Sequence, residues 1–104
     1  MKMEKNTFWT PIIFRKDKQD KDVFAIFPDD VADLEGHVTF YQHVGQHGHG
    51  DLGYMMQKSV PASPKEYAEL KKELEGIGYK VKPVLKDTKI FQKARREQLG
   101  KLNG

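Results

Sequence analysis

Three of the four histidines, His43, His47 and His49, fall within seven residues, and Asp51 follows two positions later. Imidazole nitrogens and carboxylates are the ordinary ligands of borderline transition metals, so these four residues are the candidate metal ligands of the chain. The H-x3-H spacing of His43 and His47 matches metal pairs on helices, but Gly45, Gly48 and Gly50 interleave with the histidines and oppose a stable helix here. The segment Gly45 to Asp51 therefore reads as an exposed glycine loop. In such a loop, ordering a tetrahedral site costs conformational entropy, and only weak zinc or nickel binding is expected. An incidental or structural role for the histidines is the favoured reading, with metal binding as the alternative.

The same residues could serve as a general base and its orienting partner, but a nucleophile is missing. The chain has no cysteine, and its only serines are Ser59 and Ser63, the second of which has a helix-capping role. No phosphate-cradling loop, dinucleotide fingerprint or paired-carboxylate motif is present. The sequence thus points away from an enzyme and implies no cofactor. The acidic run from Asp29 to Glu35 lacks the regular ligand spacing of a calcium loop.

Cations form a second chemical candidate. Net charge is +3, with 18 Lys and Arg against 15 Asp and Glu. Residues 86–104 hold six cations against Asp87 and Glu97, or +4, which leaves −1 on residues 1–85. Lys89, Lys93, Arg95, Arg96 and Lys101 are the candidate nucleic-acid contacts, since phosphate binding needs cations that displace condensed counterions. Phe8, Trp9, Tyr41 and Tyr54 offer stacking surfaces for single strands, although so small a domain needs most of its aromatics for its own interior. Against this stands the plain reading of a frayed, solvated terminus.

The elements that must position these residues fit one α+β domain over residues 1–85, followed by a basic C-terminal tail over 86–104. Ile12 to Arg15 and Val23 to Phe27 are apolar runs around a polar turn, Lys16 to Asp22, and predict an antiparallel hairpin covered on both faces or at a dimer surface. Pro28 to Gly36 reads as a loop or a single helical turn capped by Asp29 or Asp30. His37 to Val44 alternates as a third strand, and Tyr54 to Val60 as a fourth, with the glycine loop as the tip of this second hairpin. Ser63-Pro64-Lys65-Glu66 is a capping box with proline at the first helical position. It opens a helix over 64–76 whose apolar stripe is Tyr67, Leu70, Leu74 and Ile77. Tyr79 and Val81 alternate with lysines before Pro83, as a short final strand at a sheet edge. The tail has only a weak helical face, Ile90, Phe91, Ala94 and Leu99, so that it is helical and docked, paired with a second copy, or mobile.

With 32% charged residues and mean hydropathy of −0.73, the chain has no stretch near the 20 or so apolar residues of a membrane span, and Met1 to Thr10 has no signal-like apolar core. A cytoplasmic protein with no membrane partner is expected.

The chain resembles a group of small uncharacterised bacterial proteins associated with phages and mobile elements. The residues concerned are Phe14-Arg15-Lys16, Ala25-Ile26-Phe27-Pro28, Tyr41 with His43, Gly45-Gln46-His47-Gly48, Pro61-Ala62-Ser63-Pro64 with Glu66-Tyr67, and Gly78-Tyr79, within residues 12–84. The resemblance implies no activity, cofactor or catalytic residue; it implies a mobile-element context, in which small proteins often bind another macromolecule. The expectation is a non-enzymatic binding or accessory module contacting protein or nucleic acid, as a monomer or a homodimer. The alternative is a metal-dependent site on the histidine loop, hydrolytic or otherwise.

Overall fold

The computed structural model describes residues 9–42 and 46–103. Thr10–Asp17 (β1) and Val23–Val31 (β2) form the expected hairpin at the centre of a six-stranded sheet, with Ile13 opposite Ile26 and Arg15 opposite Phe24. Val38–Gln42 (β3) pairs with β2, and Gln46–Gly50 (β4) pairs with β3 as the edge strand. The other edge of β1 is shared: Ser59–Pro61 (β5) lies antiparallel along Arg15 to Asp17, and Val81–Val84 (β6) runs parallel along Thr10 to Ile13. The fold is α+β, as the alternation of apolar strand runs and one capped helix requires.

The helix over Pro64–Ile77 (α2) begins at the expected capping box. The Ser63 hydroxyl accepts from the Glu66 amide at 3.2 Å, and the Glu66 carboxylate accepts from the Ser63 amide at 2.9 Å. Leu70 and Leu74 are buried and Tyr67 stacks on Phe14 with ring centroids 4.1 Å apart. Ile77, the last member of the expected stripe, is 51% exposed, because the helix ends there at Gly78, whose φ of 127° suits glycine. This side of the sheet buries Ile12, Phe14, Ala25, Phe27, Tyr41 and Val81 beneath α2.

The opposite side differs from expectation. Residues 54–57, read as part of a strand, belong instead to a short helix (α1, Leu52–Gln57). Asp51 is its N-cap, accepting from the Gly53 amide, while Met55 packs with Ile13, Phe24, Ile26 and Val38. Of that run only Ser59 and Val60 lie in a strand, β5, which continues to Pro61. Arg15, buried on this face, holds α1 down: it donates to the Ser59 hydroxyl at 2.9 Å, the Ser59 carbonyl at 2.7 Å and the Met56 carbonyl at 3.0 Å. Helices on both faces explain why neighbouring residues of β1 and β2 are all apolar.

Pro28 to Val31, expected as loop or helical turn, continue β2 through an irregularity in its pairing with β3. The reversal comes later, at Asp33 to Gly36, where Gly36 takes a φ of 86°. Lys89–Asn103 form a helix (α3) that rests on this end of β2.

Candidate functional sites

The glycine-histidine segment is a strand in this structure, and the correction follows from its own spacing. His47 and His49 alternate with Gly48 and Gly50, so that imidazoles occupy one face and glycines the other. Phe40 lies across the glycine face, and a Cβ on Gly48 would stand 2.8 Å from its ring. His43 falls outside the described residues.

Of the four residues expected to share a metal, the three that are described, His47, His49 and Asp51, do not converge. Asp51 caps α1, and His47 sits opposite Tyr41 in the register, 4.7 Å from that ring centroid and with Nε2 3.2 Å from the Tyr79 hydroxyl. Tyr41 in turn donates to Glu73 of α2, so this group of rings closes the end of the α2-covered core. Burial raises the pKa of Tyr79.

His49 instead meets two residues that the sequence reading left aside. Its Nδ1 is 3.1 Å from Asp33 Oδ2, and His37 Nδ1 is 2.7 Å from the same oxygen. The two imidazoles face each other with centroids 5.8 Å apart. One ligand atom from each of Asp33, His37 and His49 lies within 4.8 Å of the others. The second oxygen, Asp33 Oδ1, accepts from the Glu35 amide at 3.0 Å and the His37 amide at 3.2 Å. The hydrogen bond between them raises the pKa of His37 and lowers that of Asp33. Sequence distance hid this group: Asp33 is 16 residues from His49, and only strand register brings them together.

The basic segment is divided by its docking. Arg95 turns inward, forming a bidentate pair with Asp87 at 2.7 and 3.0 Å and donating to the Pro28 carbonyl at 2.7 Å. It is a helix anchor here, not a free phosphate contact. The Gln98 side-chain amide donates to the Asp29 carbonyl and accepts from the Val31 amide at 2.9 Å, standing in for a neighbouring strand. Lys89, Lys93, Arg96 and Lys101 are exposed. Of the expected stacking residues, Tyr41 is buried, Trp9 and Tyr54 are exposed, and Phe8 falls outside the described residues.

A depression of about 200 Å³ lies elsewhere, lined by Asp17, Asp22, Phe24, Tyr54, Met55 and Lys58 among others. Lys58 spans it, with Nζ 5.8 Å from the Phe24 centroid and 3.4 Å from Asp17. Ser59, the serine without a capping role, donates to the Met55 carbonyl and accepts from Arg15, which commits it to structure. No helix among the described residues is long and apolar enough to cross a membrane. Comparison with protein-family models, curated proteins and solved structures finds no match to this chain.

Proposed function

We propose that the chain is a non-enzymatic accessory module that binds nucleic acid through the outward face of α3. The observation that carries this reading is the way α3 is fastened. Arg95 and Gln98 are held on β2, and with 3.6 residues per turn Lys89, Lys93 and Arg96 fall in a stripe roughly 60° wide on the other side. These three span about 10 Å along the axis, close to three phosphate steps of about 3.4 Å along one strand of a duplex. The charge division agrees with this: +4 on residues 86–104 and −1 on the remainder.

The test is fluorescence anisotropy with a short duplex and a short single strand at low salt. The full chain is compared with a Lys89→Gln, Lys93→Gln, Arg96→Gln variant, in which Arg95 and Gln98 still dock the helix. Binding by the full chain and its loss in the variant are expected. Equal binding by both would move the contact off α3, and no binding by the full chain at low salt would remove nucleic acid as the partner.

A further inference from the structure

Asp33, His37 and His49 reach one point from three separate positions: the reversal after β2, the residue just before β3, and the edge strand β4. The chemistry at that point is two imidazole nitrogens and one carboxylate oxygen. Asp33 divides its carboxylate between two tasks. Oδ1 is fixed by the Glu35 and His37 amides, which leaves Oδ2 aimed at both imidazoles. Such backbone support is what orients a ligand carboxylate in metal sites, and it is made locally by the turn at no further cost in chain ordering.

We propose that Asp33, His37 and His49 bind a divalent transition-metal ion of the zinc type. The donor set discriminates: imidazole favours zinc and its neighbours, whereas calcium and magnesium require mostly oxygen ligands. The distances are compatible with a small ion. Metal–ligand bonds of 2.0–2.1 Å in tetrahedral geometry place ligand atoms about 3.3 Å apart. The two Nδ1 to Oδ2 separations, 2.7 and 3.1 Å, lie just below that value, and the three donor atoms all lie within 4.8 Å of one another. The His49 side chain is 58% exposed, so it has room for the small rotation that brings its nitrogen in, and solvent can reach a fourth position. The strand context removes the entropy objection raised by a flexible loop. His49 is held by pairing opposite Thr39, and the glycines beside it serve to admit the Phe40 ring. An ion here ties the β2–β3 reversal to the edge strand, and because it binds only the folded arrangement it stabilises the whole domain.

The experiment is calorimetric titration of Zn²⁺ into chelator-stripped protein, with side-chain ¹H–¹⁵N NMR of the imidazoles on the unsubstituted chain. One ion per chain is expected, with Kd in the micromolar range or tighter and a Tm raised by about 5 °C or more at saturation. His37→Ala, His49→Ala and Asp33→Asn should each weaken binding at least about tenfold, and His47→Ala should leave it unchanged. The NMR arm needs no variant to fold: Zn²⁺ should shift the His37 and His49 rings and leave His47 in place. Binding that survives His49→Ala, or rings of His37 and His49 that do not respond, would overturn the proposal. Stoichiometric binding abolished by His47→Ala would also overturn it and return the ion to the sequence-expected histidines.

Discussion

Single residues in this chain carry several tasks at once, and Glu66 shows how the second task was hidden. Its capping bond to Ser63 was legible as a four-residue pattern, because capping is local. Its ion pair with Lys16 was not, because that contact joins residues 50 apart in sequence through the packing of α2 on β1. The two interactions, with the Lys16 bond the larger, pull the Glu66 pKa from 4.5 down to about 2. A carboxylate with a depressed folded-state pKa contributes stability that is present above its unfolded value near 4.5 and is lost as pH falls toward about 2. Glu66→Gln keeps the capping geometry, since glutamine also serves at that position, but removes the charge that Lys16 meets. Urea midpoints measured from pH 6 down to pH 2.5 should therefore show the unsubstituted chain ahead of Glu66→Gln at the upper end, with the gap closing as the medium is acidified. A constant gap across that range would show that the pair with Lys16 contributes nothing. The same division of labour explains Asp51: an acidic residue beside histidines reads as a ligand, yet its position before Leu52 makes it a cap.

Among the elements, those with a strong local pattern were legible and those defined by partners were not. The first hairpin and α2 carry their own turns, caps and stripes, and both stand where expected. The β4 strand is the instructive failure. Glycine normally weakens a strand, so Gly48 and Gly50 argued for a loop, whereas in the folded chain they are the surface on which Phe40 lies. The alternation of histidine and glycine over residues 47–50 was already the period-2 mark of a strand, but its apolar half is supplied by Phe40 of β3 and not by β4 itself. That arrangement has a measurable consequence. In Gly48→Ala the new methyl stands 2.8 Å from Phe40 Cζ, and overpacking of this kind costs about 1–3 kcal/mol unless the ring moves. Phe40→Leu shortens the opposing side chain, so the double variant should recover part of the loss that the two single variants predict by addition. Denaturant unfolding of the four chains decides it. Strict additivity would mean that Phe40 does not rest on Gly48. The α1 segment was missed for a related reason: Tyr54, Met55 and Met56 suit a half-buried strand or a short helix alike, and the choice is made by the Asp51 cap and by Arg15 beneath the helix end.

At the scale of the whole molecule, charge and architecture are arranged separately. Neither buried cluster draws on residues of α3, and the helix is held to the end of β2 by polar bonds from Arg95 and Gln98. Deleting residues 86–104 would therefore remove the cations together with the partners of Pro28, Asp29 and Val31, and mix an electrostatic effect with a structural one. Charge substitution on the outward stripe separates them. A protein that neutralises phosphates releases condensed counterions, and on a duplex each phosphate contact adds about 0.9 to the steepness with which log K falls against log salt. Removing the charges of Lys89, Lys93 and Arg96 should thus flatten that slope by about 2.7, if each meets one phosphate. Lys72→Gln, which removes an exposed cation from α2, should leave the slope where it was. The contrast distinguishes a located contact from general attraction between a basic protein and a polyanion, because general attraction responds to net charge wherever it resides. Circular dichroism of every variant at the lowest salt confirms that α3 is still folded. A salt slope that changes in proportion to net charge alone, equally for Lys72→Gln and for each position on α3, would remove the α3 face as the binding surface.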